Sequence, residues 1–264
     1  MIIKAIQKTM DKFEYFRNKY DISRELFALD LFIIAGIIVL SFAIFTTERI
    51  PVVAEVIAPP KVLSTNMFDN LKLKANAVYV YDFKNKKVVF EKNSTAQLPL
   101  ASLTKLATAL TAIELLPKDS EITIKKEFLA EEGDSGLLAN ESWKLKDLLD
   151  FSLVTSSNDG ARSIASVIGA FDLKTDDYNL GRKDFISKMN VKVQEIGLKQ
   201  TYFINESGLD VSDTTSGGYG SAQDMGNLIG YIVSNEPDVI EATKYRTFNV
   251  DSDTREHVAK NTNS

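Results

Sequence analysis

Residues 27–45 carry a single charge, Asp30, and the run from Leu31 to Phe45 carries none. Nineteen helical residues reach about 28 Å, close to the thickness of a hydrocarbon core. No other stretch constrains the chain as strongly, because whatever folds must do so on either side of it. Lys4, Lys8, Lys12, Arg17, Lys19 and Arg24 precede the segment, and only Arg49 and Lys61 follow it closely. The positive-inside bias therefore predicts a cytoplasmic segment over 1–26, a transmembrane anchor over 27–45 and an exported remainder. A cleaved signal peptide would have a shorter leader and a small-residue cleavage site, and a helix buried in a soluble domain would show a polar face. An uncleaved anchor fits better than either. Residues 46–70 hold Pro51, Pro59 and Pro60 without a periodic pattern and read as a linker. That leaves 71–264 as the folded domain.

Composition narrows what this domain does. With 36 acidic against 31 basic residues, the chain lacks the basic excess of a nucleic-acid binder. It has no cysteine, which excludes disulfides and thiolate metal sites, and its single histidine, His257, has no companion ligand motif. In its polar stretch His257 reads as a surface or turn residue.

The periodicity predicts mixed elements. Ala77–Asp82 and Val88–Glu91 flank a polar turn and read as an antiparallel hairpin. Pro99 halts the next extended segment, and a helix is expected from Ser102 to about Leu116, a run free of Gly and Pro. A short strand over 121–125 follows, then a loop with Gly133 and Gly136. Helices are expected over 145–153, 161–168 and 183–196, the last with Phe185, Met189, Val193 and Ile196 on one face. There is no internal repeat.

Ser102 and Lys105 sit three residues apart at the start of a predicted helix, so they share a face and the amine can reach the hydroxyl. Helix-start N–H groups can also stabilise developing negative charge. Such a pair arises readily by chance, and its bland reading is a helix-capping serine beside a solvated lysine. A second element changes the balance. Ser156-Ser157-Asn158 lies about fifty residues on, between two predicted helices. Ser-x-x-Lys followed by Ser-x-Asn is the motif order of the penicillin-recognising serine enzymes. Ser64-Thr65-Asn66 also matches the second motif, but it precedes the serine and lies in the linker.

From about Asn76 onward the chain resembles the D-alanyl-D-alanine carboxypeptidases, the low-molecular-mass penicillin-binding proteins. The resemblance runs through Pro99 to Lys105, Leu148-Leu149, Ser156 to Ala161, Phe185 with Met189-Asn190 and Glu195 to Leu198. It continues through Thr201 to Phe203, Asn205 with Gly208 to Asp210, Ser221 to Met225 and Asn261-Thr262-Asn263. It implies an α+β fold of the β-lactamase/DD-peptidase kind, an antiparallel sheet flanked by helices with a helical subdomain. It implies no cofactor or metal, a peptidoglycan stem peptide as substrate, β-lactam antibiotics as inhibitors and a role in cell wall remodelling. Ser102 would be the nucleophile and Lys105 its base, provided burial or a nearby cation lowers the amine's pKa. Ser156 would relay a proton to the leaving amine, and Asn158 would bind substrate backbone or hold Lys105.

The family's third motif, Lys-Thr-Gly or a variant, follows the Asn-Thr-Asn segment, and no such tripeptide occurs in this sequence; Lys174-Thr175-Asp176 fails at its last position. The expectation is a C-terminally truncated enzyme lacking its last sheet strands. The alternatives are an inactive membrane-tethered homologue that binds peptidoglycan, or a β-lactamase, endopeptidase or transpeptidase of the same superfamily.

Overall fold

A computed structural model of the chain describes residues 71–133 and 136–263, together with Phe68 and positions 11, 12, 14, 15 and 19. The chain divides into two units, 1–66 and 67–264. In the first, the described positions are helical and exposed. The expected anchor over 27–45 and the linker over 46–70, Phe68 apart, lie outside the described residues. Among the described residues no helix is long and apolar enough to cross a membrane.

The second unit is α+β, as the resemblance implies, with five α-helices and short antiparallel strands among its described residues. Strands β1 (Val78–Asp82) and β2 (Lys87–Lys92) form the expected hairpin, with an irregularity between Val80 and Tyr81. Strand β3 (Leu98–Pro99) pairs with β7 (Gly218–Gly220), which pairs in turn with β6 (Tyr202–Phe203). Strand β4 (Glu121–Thr123) pairs with β5 (Ser142–Lys144), and β8 (Thr247–Asp251) pairs with β9 (Glu256–Lys260). The pairing is thus divided among small sheets, the largest of three strands.

The helices build the core. Helix α1 (Thr104–Leu115) is buried on most of its circumference, Ala107, Ala109, Leu110 and Ala112 being almost fully enclosed. A helix with so little solvent-facing surface sits at the centre of its domain. Around it lie α2 (Leu145–Thr155), α3 (Asn158–Leu173), α4 (Tyr178–Glu195) and α5 (Ala222–Asn235). Trp143, Phe151, Leu148, Ile164, Phe185 and Met189 fill the space between them. Helices α3 and α4 touch backbone to backbone. A Cβ placed on Gly169 would lie 1.9 Å from the Gly181 carbonyl oxygen, so both positions require glycine. Asp177 caps α4, accepting from the N–H groups of Asn179 at 2.9 Å and Leu180 at 3.0 Å.

Two expectations need correction. His257 is not a surface or turn residue. It lies within β9, 8% exposed, with its Nε2 3.1 Å from Glu141 Oε1 and its ring against Trp143. The pleat explains this, since His257 and Ala259 point inward while Glu256, Val258 and Lys260 face solvent. The polar composition of the stretch hid an alternation of period two. The helix after Pro99 also starts differently, with a 3₁₀ turn, Ala101–Leu103, before α1 begins at Thr104.

Candidate active site

The chain reaches Ser102 under tight restraint. Strand β3 is held by β7, and the Leu100 N–H donates to the Gly218 carbonyl at 2.9 Å. Ala101 then takes a left-handed conformation, φ 47°, which swings the chain into the 3₁₀ turn carrying Ser102. An alanine there is disfavoured by its Cβ and persists only where the surroundings over-determine it. Ser156, which ends α2, is also left-handed at φ 59°, and its hydroxyl donates to Ser102 Oγ at 2.7 Å. Asn158 opens α3 directly after the capping residue Ser157, whose Oγ accepts from the Gly160 N–H. All four residues singled out in the sequence, Ser102, Lys105, Ser156 and Asn158, are therefore brought together by two turns and two helix starts.

Lys105 lies in the first turn of α1, 3% exposed. Its Nζ is 3.1 Å from Ser102 Oγ, 2.7 Å from Asn158 Oδ1 and 3.0 Å from the Ser207 carbonyl oxygen. Burial brings its pKa down to about 8, against a smaller opposing effect of the Glu206 carboxylate. The three contacts differ in kind. Asn158 Oδ1 and the Ser207 carbonyl can only accept, so a neutral amine spends its two N–H bonds on them. Its lone pair is then directed at the one partner that can also donate, the Ser102 hydroxyl. The arrangement can thus draw a proton from Ser102 whenever Lys105 is uncharged.

A cavity of about 410 Å³ opens over this group, lined in part by Ser102, Lys105, Ser156, Thr243, Thr262 and Asn263. A larger one, about 550 Å³, is bounded by Glu121, Asp147, Asp150 and Asp251 and contains none of the four site residues. Among the described residues there is no cluster of His, Cys, Asp or Glu able to hold a metal ion.

The segment 205–209 contains Asn205, Gly208 and Leu209 of the resemblance, which gives them no chemistry. It forms a platform against the serine turn. Asn205 Oδ1 accepts from the Gly208 N–H at 2.7 Å, and Asn205 Nδ2 donates to the Leu209 carbonyl at 2.7 Å. Gly208 has φ 79°, and a Cβ there would fall 1.8 Å from the Ala101 carbonyl oxygen. The platform delivers the Ser207 carbonyl to Lys105 and the Glu206 carbonyl to Thr108 Oγ1, which donates at 2.6 Å. A backbone acceptor leaves no side-chain signature, so only the unusual glycine could have marked this loop.

Comparison with known proteins agrees with the geometry. Residues 64–264 match the family model described as D-alanyl-D-alanine carboxypeptidase. The chain is 34% identical over 145 residues to the D-alanyl-D-alanine carboxypeptidase DacF of Bacillus subtilis, covering 53% of this chain and 34% of that protein. It is 26% identical over 161 residues to the D-alanyl-D-alanine endopeptidase of Escherichia coli, covering 60% of this chain and 47% of that one. The chain therefore spans about a third to a half of the length of these relatives. Among solved structures, it resembles penicillin-binding protein D2 of Listeria monocytogenes in its ampicillin-bound form. That match has a TM-score of 0.60 at 27% identity and covers 74% of this chain and 75% of that one. With its serine, lysine and asparagine assembled in one hydrogen-bonded cluster, and with the family model matched over most of its length, the chain belongs to the D-alanyl-D-alanine carboxypeptidase family.

Proposed function

We propose that the protein is a serine-type D-Ala-D-Ala carboxypeptidase that trims the terminal D-alanine from peptidoglycan stem peptides through an acyl-enzyme on Ser102. The observation that carries this reading is the Lys105 amine, buried, lowered in pKa and hydrogen-bonded so that its lone pair falls on the Ser102 hydroxyl. Ser102 Oγ attacks the carbonyl carbon of the penultimate D-alanine while its proton passes to Lys105 Nζ. The peptide C–N bond then breaks, and the departing amine takes a proton through Ser156, whose hydroxyl is 2.7 Å from Ser102 Oγ. D-Alanine leaves, and water hydrolyses the ester. The Ser102 N–H serves as one donor to the oxyanion, a contribution of about 2.7 to 4 kcal/mol per donor in other acyl-transfer enzymes. Asn158 holds Lys105 on one side and the Glu132 carbonyl, at 2.7 Å, on the other. A β-lactam presents a strained amide to the same serine and is expected to remain as a stable ester. As part of the same proposal, residues 27–45 anchor the protein in the cell membrane with the catalytic unit outside, an idea supported by the uncharged run and the basic leader before it.

The E. coli relative is an endopeptidase by name, so the test uses two substrates. The 264-residue chain is incubated with a fluorescent penicillin, with a stem pentapeptide and with a cross-linked stem dimer. Covalent label that disappears in Ser102→Ala, with a labelling rate that rises with pH through about 8, supports the serine-lysine mechanism. Release of free D-alanine from the pentapeptide supports the carboxypeptidase, and cleavage of the dimer alone replaces it with an endopeptidase. A chain that takes no label sinks the proposal.

A further inference from the structure

Glu206 is fully buried, yet it is no part of the serine cluster. Its carboxylate is gripped by Arg182 of α4, whose Nε lies 3.0 and 2.9 Å from the two Oε atoms. Arg182 is itself only partly exposed. Its place is fixed by the close approach of α3 and α4 at Gly169 and Gly181, one residue before it. Meanwhile the main chain of Glu206 and Ser207 supplies the carbonyls that receive Thr108 and Lys105 of α1. One dipeptide thus carries both a buried negative charge and two anchors of the helix bearing the base.

We propose that the Arg182–Glu206 ion pair is a positioning device for Lys105, holding the two carbonyls in place while Arg182 cancels a carboxylate that would otherwise trap the amine as its cation. This rests on the reading of Lys105 as the base. The chemistry requires some such cancellation, because a buried ammonium beside an uncompensated buried carboxylate forms a pair that resists deprotonation. The Glu206 charge already opposes the effect of burial on Lys105. Most other charged groups on the elements around α1 have partners of their own, while Asp147 of α2 is half-buried and Lys183 of α4 is exposed. From α3 and the loop before it, Asp159 accepts from the Glu131 N–H at 3.1 Å, and Arg162 pairs with Glu131. Lys146 and Asp150 pair within α2, and Asp224 of α5 accepts from Thr201 Oγ1 and the Gln200 N–H. On α4, Lys188 pairs with Asp172 and Asp184, and Lys192 with Glu114 and Glu195. Among the described residues, Glu206 is the carboxylate whose charge acts on the amine.

The test titrates the Lys105 amine directly, by NMR of protein labelled with ¹³C-lysine, the resonance being assigned by its loss in Lys105→Arg. Arg182→Gln should raise the midpoint and Glu206→Gln should lower it, each by about one pH unit. Arg182→Lys, which keeps the charge, should stay close to the parent. A purely structural role would loosen the site and move both charge-changing variants the same way, or neither, and either result overturns the inference. Should Arg182→Gln fail to fold, Glu206→Gln against Arg182→Lys still decides, since only the first is expected to move the midpoint. The acid limb of penicillin acylation should follow the same shifts. A parent that takes no penicillin removes the proposed activity, while the amine titration still decides whether Arg182 and Glu206 set the charge of Lys105.

Discussion

Lys105 and Glu141 are buried to nearly the same depth, 3% and 2% exposed, and their surroundings treat them in opposite ways. Glu141 is surrounded by donors. Its Oε1 meets Arg255 Nε at 2.9 Å and His257 Nε2 at 3.1 Å, and its Oε2 accepts from the Leu138 N–H at 3.1 Å. Lys105 is surrounded by neutral acceptors, and the nearby carboxylate that could have paired with it is occupied by Arg182. A buried charge with its counter-charge at hand stabilises the site and stays as it is. A buried charge denied one is held ready to lose its proton. The difference lies not in burial but in who neighbours whom.

The sharpest way to break this comparison is to delete each charge. In Lys105→Met the rate of penicillin labelling should fall by about a thousandfold, as expected for loss of a proton acceptor. Stability at pH 7 should change little, since relief of an uncompensated buried charge offsets the hydrogen bonds lost by Asn158 and Ser207. Glu141→Ala should do the reverse. It strands the Arg255, His257 and Leu138 donors, and urea denaturation should show a loss of about 3 kcal/mol. Arg255 is about half exposed and recovers part of its loss in water. If both substitutions destabilise equally, the two sites do not differ as argued.

The two sites were not equally legible in the sequence. Ser102, Lys105, Ser156 and Asn158 could be singled out together because their motifs join particular residue types at helical and turn spacings, and the structure places them within hydrogen-bond reach of one another. The helices themselves were visible in their 3.6-residue pattern, with ends a few residues out. The Glu141 cluster was missed because Glu141 comes from a loop while Arg255 and His257 come from a polar stretch more than a hundred residues further on. Nothing local distinguishes Glu141 from the other acidic residues, and His257 looked solvated. The Ser207 carbonyl was invisible for a different reason, since backbone acceptors are common to every residue. Chemistry written in side chains at short range can be read from sequence, whereas chemistry made by tertiary pairing or by the main chain cannot.

An effect of comparable size, spread over a pH window, comes from the titration of Lys105. The folded-state pKa of Lys105, about 8, lies below its unfolded value near 10.5. Between these values the unfolded chain holds a proton that the folded protein does not, so this residue's contribution to stability rises with pH across that window. Below about 8 both states are protonated and the cost of the buried cation is present in full. The parent should therefore gain as much as about 3 kcal/mol relative to Lys105→Met between pH 8 and 10.5. Paired urea titrations at several pH values read this directly. A flat difference would mean that the amine is solvated, which would remove the contrast with Glu141.

The smallest expected effect concerns the backbone beside each charge. A left-handed residue flanks both sites, Ala101 at φ 47° before the serine and Asn140 at φ 70° before Glu141. Asparagine tolerates this conformation through its short polar side chain, and alanine does not. Relief of strain in Ala101→Gly is partly offset by the greater freedom of an unfolded glycine, leaving a gain of about 0.5 to 1 kcal/mol. Asn140→Gly should gain nothing. Penicillin labelling should slow in Ala101→Gly, because the strained alanine limits the angles at which Ser102 can be presented to Lys105. A variant at Ala101 that is both more stable and equally fast would show that the strain serves no purpose at the serine, and that the site is held by Ser156, Asn158 and the 205–209 platform alone.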